Sequence, residues 1–268
     1  MEKIRVKWQP ALKTRVQTIP VVVGGKKVRV KRESREYFDP SQPGIPAGFL
    51  VKLADLEDVE AAVEIARQDS ANWRETSLKE RHRLLRKAAG QLRKFRGDLI
   101  GIAAAAAGKT FYESDSEVSE AIDFVEFYPF SLGKLQEQTD LEFKPLGAVL
   151  VIVPWNFPIA IPVGGVSAAL AAGNTVVLKP SPETFPVTCA TMQCFRDAGV
   201  PETALQLLNC AEGEPVSALA SHPDFDALIF TGGTATAMKI LQQRPGVELS
   251  AETGGKNATI VTAMADWD

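Results

Sequence analysis

Gly147-Ala148-Val149-Leu150-Val151-Ile152-Val153 is an unbroken apolar run, followed by Pro154-Trp155-Asn156-Phe157-Pro158 and then by an uncharged stretch at 159–172. A strand buried on both faces reads as a continuous run of this kind, not as an alternation. Two prolines close the run, and the uncharged stretch reads as a buried helix. It is too short for a bilayer and carries Pro162, Gly164 and Gly165. The same unit repeats downstream. Strands are expected at 175–179, 205–208, 227–230, 247–251 and 258–261, with helices at 185–198, 214–221 and 234–243. Alternation of this sort predicts an α/β fold, a Rossmann-like parallel sheet with helices on both faces. Ligands of such sheets gather beyond the carboxyl ends of the strands.

Upstream of Pro145 the pattern is mostly helical. Asp55 is a candidate N-cap for a helix bearing Val59, Ala62, Val63 and Ala66. Ser77 with Glu80 forms a capping-box pattern ahead of Leu84, Leu85, Ala88, Leu92 and Phe95, and Ser114 with Glu117 repeats it ahead of Val118, Ala121, Ile122 and Val125. Gly108 is a candidate C-cap after five alanines. Residues 20–50 read as short extended pieces broken by Gly24, Gly25, Pro40, Pro43 and Pro46. The expected division is 1–144, strands and helices packing on the rest, and 145–268, the Rossmann-like region.

Composition excludes several function classes. The formal net charge is -3, with 24% charged residues, so the molecule as a whole has no attraction for nucleic acid. The basic run Lys26, Lys27, Arg29, Lys31, Arg32 is local and reads as a solvated hairpin or edge strand. No secretory leader is read in residues 1–9, and no membrane span is expected. Three cysteines cannot build a disulfide framework and fit a reducing cytoplasm. Their spacing, with only two histidines, does not suggest a metal.

The segments after the strands hold the chemistry-bearing residues. Thr231-Gly232-Gly233-Thr234 opens a helix, where glycines and free N–H groups admit a pyrophosphate. The usual GxGxxG is absent, and taken alone this segment reads equally as a plain turn. Lys179 ends a strand and reads as a ribose ligand or a solvent-facing cation. Asn156 stands between prolines and offers a fixed amide donor of the kind an oxyanion needs, or a turn residue. Glu252, beside Thr253-Gly254-Gly255, reads as a general base in a cleft or as a surface carboxylate.

Their order and spacing resemble the aldehyde dehydrogenase superfamily. The resemblance is carried by Pro154-Trp155-Asn156-Phe157-Pro158, by Gly173-Asn174-Thr175-Val176-Val177-Leu178-Lys179-Pro180-Ser181, by Gly199-Val200-Pro201, by Phe230-Thr231-Gly232, and by Glu252-Thr253-Gly254-Gly255-Lys256. It covers nearly the whole chain. Ser116-Glu117-Val118-Ser119-Glu120-Ala121-Ile122-Asp123-Phe124 and Ala251 to Asn257 are similar to the branch that oxidises glutamate γ-semialdehyde, the open form of 1-pyrroline-5-carboxylate, to glutamate in proline breakdown.

The resemblance implies oxidation of a small aldehyde through a cysteine thioester, with NAD as cofactor and NADP left open. It assigns Asn156 to the oxyanion and Glu252 to activation of the hydrolytic water. Ile152, Val153, Pro154 and Trp155 become a wall along the cofactor, and Lys179 with Ser181 its ribose end. Gly213, Phe230, Thr231, Gly232 and Gly233 become further cofactor contacts, and Thr253 with Gly254 lie at the nicotinamide end. Residues 136–144 are expected to be one arm of an oligomerisation flap, with a homo-oligomeric parent.

Three departures stand against the pattern. Pro182 occupies the place of a ribose-binding glutamate, with Glu183 one position late. Gly233 replaces a serine. The family's Gly-Gln-x-Cys nucleophile, which follows the Glu252 motif, is not reached by Asp268. The expectation is therefore a part of a longer enzyme that binds cofactor without turning over. The alternatives are a free-standing dinucleotide-binding module and a structural protein on the same fold. Cys210, at a strand end, is the one in-chain substitute nucleophile considered; Cys189 and Cys194 read as buried helix residues.

Overall fold

The computed structural model describes residues 16–138, 140 and 142–266. Continuous apolar runs form the central sheet. Five strands, β6 (Ala148–Ile152), β7 (Thr175–Lys179), β8 (Leu205–Leu207), β9 (Ala227–Thr231) and β10 (Glu248–Glu252), lie in the order β10-β9-β6-β7-β8. Every pairing among them is parallel. The chain starts in the middle, runs out to β8, then returns to the other side of β6, so the order reverses between β6 and β9. That reversal is the crevice in which such sheets bind ligands.

The period-2 side-chain alternation sorts the core into two clusters. Val149, Val151, Val176 and Leu178 face one side and pack with α4 (Ala160–Ala171) and α5 (Phe185–Asp197). Ala148, Leu150, Val177, Leu228 and Phe230 face the other, with α6 (Glu214–Ser221) and α7 (Thr234–Gln243). The N-terminal region covers both sides. Helix α1 (Leu56–Gln68) places Val59, Ala62, Val63 and Ala66 in the second cluster, while α2 (Leu78–Ala107) and α3 (Phe111–Gln136) add an outer layer over α4 and α5. Truncating a fully buried member such as Leu150 to alanine costs about 2–5 kcal/mol in cores of this kind.

A small sheet of β1 (Gln17–Ile19), β5 (Pro46–Lys52) and β4 (Ser34–Phe38), in that order, sits beside β8. Ala54, just past β5, donates to Asn209 O at 2.8 Å and accepts from Ala211 N at 2.9 Å, carrying the β8 edge onward. The basic run falls where expected: β2 (Val22–Val23) and β3 (Lys26–Lys27) form an antiparallel hairpin with both lysines exposed. Arg32 leaves the run to pair with Asp55 and Asp58, which cap α1.

Helix α4 carries no charge, and no side chain of its own caps it. Both ends are held by other helices. Glu117 of α3 accepts from Ile159 N at 2.6 Å and Ala160 N at 3.0 Å. At the far end Arg81 donates to Ala171 O at 3.0 Å and Trp73 Nε1 to Leu170 O at 3.2 Å. An anion at the N-terminus and a cation at the C-terminus complement the helix dipole.

Most expected elements appear within one residue of their expected bounds. Four readings are corrected. The Ser114–Glu117 pair does not start a helix. Thr110 is the N-cap of α3 and forms the capping box with Glu113, four residues earlier. Both pairs satisfy the pattern, but the left-handed corner at Gly108 (φ 66) brings Thr110 to the entry first. Ser114 turns back onto Thr110 O, and Glu117 is released to cap α4. At α2 only half the box forms: Ser77 accepts from Glu80 N, while the Glu80 carboxylate pairs with Arg83. Residues 258–261 form no strand and are exposed, because no described strand edge lies alongside to take their backbone groups. Pro46 begins β5 instead of breaking it, a position where its missing N–H costs little. In the expected flap arm, 136–144, residues 139 and 141 lie outside the described residues, Gln136 ends α3, and the other described residues form no strand.

Candidate functional site

The sheet register brings the expected residues to one edge. Ile152 is level with Lys179 on one side and Phe230 on the other, and Thr231 with Glu252. At a spacing of about 4.8 Å per strand, the β6 and β10 ends lie roughly 10 Å apart and the β7 and β10 ends roughly 14 Å. The turns after these strands therefore line one continuous rim: 153–158 after β6, 180–183 after β7, 208–213 after β8, 232–233 after β9 and 253–254 after β10.

The segment after β6 is pinned along its length. Val153 N donates to Lys179 O at 3.3 Å, and Thr188 Oγ1 to Pro158 O at 3.0 Å. Lys109 Nζ donates to Asn156 O at 2.8 Å and lies 4.4 Å from the centroid of the Phe157 ring. The same ammonium pairs with Glu117 Oε2 at 2.7 Å, and the Glu117 side chain is wholly buried. Val153 is buried and Pro154 half-buried, whereas the Trp155 and Asn156 side chains are exposed. The backbone is thus fastened from beneath while an amide and an indole face out.

At the β7 end the half-buried Lys179 has a neighbourhood of its own. Burial lowers its ammonium below the usual lysine value, and nearby Cys210 and Glu183 partly offset this. Burial pushes against the Glu183 charge, yet a hydrogen bond from Ser181, its own backbone and the charges of Arg35 and Lys179 hold its carboxyl below the ordinary value. Tyr37, whose hydroxyl donates to Pro182 O, is pushed up to about 12 by burial. Glu183 therefore stands within electrostatic reach of Lys179 although Pro182 fills the position before it. The Asn209 side chain nearby is buried beside the Tyr37 hydroxyl.

Four helix N-termini open on this rim, and they differ. That of α5 follows a 3-10 turn at Pro182–Thr184 and has no side-chain cap and no acid in its first turn, but Pro186 there has no N–H to offer. That of α4 is filled by Glu117. That of α6 starts at Gly213, a residue whose φ of 89° suits glycine, and its first turn contains Glu214 and a proline without N–H. That of α7, at the sheet reversal, has no side-chain cap and no acidic residue in its first turn. Its first helical bonds reach Gly233 O from Thr236 N and Ala237 N, so the N–H groups of Thr234 and Ala235 have no helical acceptor. Gly232 N is already given to Glu252 O at 3.1 Å. The chain at Gly254 passes beside this terminus, since a Cβ built there would lie 3.7 Å from Thr234 Oγ1. The edge strand β10 and Glu252 itself are exposed.

None of the three cysteines has the surroundings of a nucleophile. Cys194 and Cys210 are buried and pushed up to about 12, and Cys189 is raised for the same reason. A thiol with that value is protonated at neutral pH, and the thiolate is the reactive form. The described residues contain no cluster of three or more metal-ligating side chains and no helix long and apolar enough to cross a membrane.

Sequence reading missed Lys109 and misassigned Glu117. A signal for the first was present: Gly108 ends one helix and Thr110 caps the next, so the residue between them must sit at a tight corner. For Glu117 the partner is 42 residues away, and nothing local points to it.

Comparison with known proteins gives the following. The model of the aldehyde dehydrogenase family matches residues 31–268. The bifunctional protein PutA of Klebsiella aerogenes is 37% identical over 87% of this chain, which spans 18% of that protein. The 1-pyrroline-5-carboxylate dehydrogenase of Staphylococcus epidermidis is 31% identical over 94% of this chain, which spans 52% of it. A Thermus 1-pyrroline-5-carboxylate dehydrogenase solved with bound NAD superposes with a TM-score of 0.86 at 30% identity, covering 95% of this chain and 53% of that one. The chain thus spans about half the length of the dehydrogenases it matches.

Proposed function

Because the chain belongs to the aldehyde dehydrogenase family, we propose that it is the cofactor-binding part of an enzyme that oxidises an aldehyde to a carboxylic acid, with NAD as the acceptor. The substrate we propose is glutamate γ-semialdehyde, giving glutamate in proline breakdown; relatives that share 31–37% identity carry names from that step. We take 145–268 as the cofactor region and 1–144 as the part that packs on it. Three unpaired cysteines agree with a cytoplasmic setting, and the family's homo-oligomeric habit is proposed for the parent protein.

The observation that carries the reading is the uncapped N-terminus of α7 at the sheet reversal, beside the held 153–158 segment. It supplies free N–H groups and the positive end of a helix dipole for a pyrophosphate. Lys179, with Ser181 and with Glu183 in place of the missing neighbour, would grip the adenosine ribose. Gly213, Phe230, Thr231, Gly232 and Gly233 line the way, Ile152, Val153, Pro154 and Trp155 form the wall, and Thr253 with Gly254 close the other end. NAD bound along these residues would supply the hydride acceptor.

In this reading the Asn156 amide donates to the oxygen that becomes negative when a thiolate adds to the aldehyde carbon. A donor already fixed in direction needs no reorganisation at that moment. Glu252, exposed and acceptor-only when ionised, takes the proton of the water that later cleaves the thioester. The buried, raised thiols of Cys189, Cys194 and Cys210 supply no nucleophile for that addition. For these 268 residues alone we therefore expect cofactor binding without turnover.

Calorimetric titration of the chain with NAD+ and NADP+ tests the proposal. Saturable binding, with no NADH formed when glutamate γ-semialdehyde is added, is the expected result. A folded chain that binds neither dinucleotide would contradict it.

A further inference from the structure

We propose that Lys109 and Glu117 are positioning residues that fix the segment bearing Asn156; the idea rests on the reading of Asn156 as the oxyanion donor. The corner between α2 and α3 is three residues long, Gly108-Lys109-Thr110, and Lys109 is the one residue between the two caps. Its ammonium lies over the Phe157 ring and joins Asn156 O to the buried Glu117 carboxylate. The other oxygen of that carboxylate is spent on Ile159 N and Ala160 N. One ion pair therefore links three things: the corner of the outer helices, the backbone of Asn156, and the first turn of the helix that follows.

The arrangement has a specific consequence. Asn156 has no contact of its own side chain to hold it among the described hydrogen bonds; its direction comes from its backbone. The carbonyl of Asn156 is the only acceptor of its peptide unit, so anchoring it fixes the rotation of the unit and with it the exit vector of the amide side chain. A carboxylate so buried depends on its partner's charge, so removing either charge weakens the clamp. Lys179 O holds Val153 N and Thr188 holds Pro158 O independently, so loss of the ammonium leaves the segment tethered at both ends and free between them at Asn156.

The test is nitrogen-15 relaxation on the 268-residue chain without ligand, comparing the native sequence with Lys109→Met, Lys109→Arg and Glu117→Gln. Lys109→Met keeps an unbranched side chain of similar length and removes the charge. The expected result is a fall in the order parameters of the Trp155, Asn156 and Phe157 amides from roughly 0.85 to below about 0.6 in Lys109→Met, with α4 amides unchanged. Lys109→Arg, which can still donate to both acceptors, restores them. Glu117→Gln keeps an acceptor for Ile159 and Ala160 and gives intermediate loosening confined to the same three residues. An unchanged segment in Lys109→Met would overturn the proposal. So would a loosening that spreads through α3 and α4 with no rescue by arginine, the mark of a merely structural pair; a lowered melting temperature accompanies loss of the ion pair in either case. The readout needs no cofactor, so it decides this point separately from the NAD+ titration.

Discussion

Helices α4 and α7 occupy equivalent places, each starting directly after a strand on either side of the sheet reversal. Their N-termini have opposite fates. The first turn of α4 is closed by a carboxylate from another helix, while that of α7 is left without any cap. In the commonest dinucleotide folds the turn after the first strand receives the pyrophosphate. Here that turn already holds a negative charge, and a second anion would meet repulsion at close range in a poorly solvated place. The absence of GxGxxG after β6 agrees with the proposed reading: a turn that received no phosphate would have no need of glycines for close approach. On the proposed reading, the internal anion would support the oxyanion side of the site and the uncapped helix would receive the ligand.

The largest expected effect comes from breaking the closed end. Glu117→Ala leaves the half-buried Lys109 ammonium without its partner and the Ile159 and Ala160 N–H groups without an acceptor. Loss of one member of such a pair costs about 3–5 kcal/mol. Urea unfolding should show this as a lowered midpoint at constant slope; a change under about 1 kcal/mol would mean that water caps α4 equally well.

At the open end the comparison predicts changes in binding with little change in stability. Lys179→Ala should weaken NAD+ and AMP alike by about tenfold, or about 1.4 kcal/mol, because the lysine would hold the portion the two ligands share. Weakening of NAD+ alone would move Lys179 away from the adenosine ribose. Gly233→Asp tests the account from the other side by making α7 resemble α4. A carboxylate at the N-cap should raise folding stability by a few tenths of a kcal/mol. It should also lower NAD+ affinity by about tenfold through repulsion of the pyrophosphate. Stability and binding moving in opposite directions is the expected signature, and calorimetry with thermal melts on one preparation reads both.

The smallest effect concerns pH. Burial raises Tyr37, Cys194 and Cys210 to about 12 from ordinary values of 10.0, 9.0 and 9.0. Their folded values exceed the unfolded ones, so the neutral groups favour the fold fully below about pH 9. That contribution is lost as pH rises toward about 12. Lys179 is shifted the other way, so its buried charge weighs against the fold at neutral pH and is relieved toward 10.5. The three raised groups outnumber it, and stability should decline above about pH 9. Each adds at most about 1.4 kcal/mol per pH unit to the slope. Cys210→Ala should flatten that decline without shifting its onset below about pH 9; an unchanged slope would mean that the thiol titrates as in the unfolded chain.

The sequence disclosed the strands and helices of the second half because two periods, continuous apolar runs and helical spacing, survive any tertiary context. The bounds of β7, α6 and α7 fall where those periods end. The rim residues were legible as well, through the rule that ligands lie beyond strand ends. What escaped depends on distant partners. Thr110 with Glu113 and Ser114 with Glu117 present the same local pattern, and only the Gly108 corner and the needs of α4 decide between them. That α4 must be capped from outside was implicit in its lack of any charge, but not that α3 and α2 would provide the caps. Residues 258–261 have the composition of a strand, yet pairing requires a neighbour, and composition cannot supply one.

The most direct test is an NMR titration of the 268-residue chain with NAD+, following backbone amides. The account predicts that Gly233, Thr234 and Ala235 shift first and furthest in a saturable way, while Ile159 and Ala160, already bound to Glu117, stay fixed. Large shifts at Ile159 and Ala160 with none at the start of α7 would contradict it, and would return the pyrophosphate to the turn after β6.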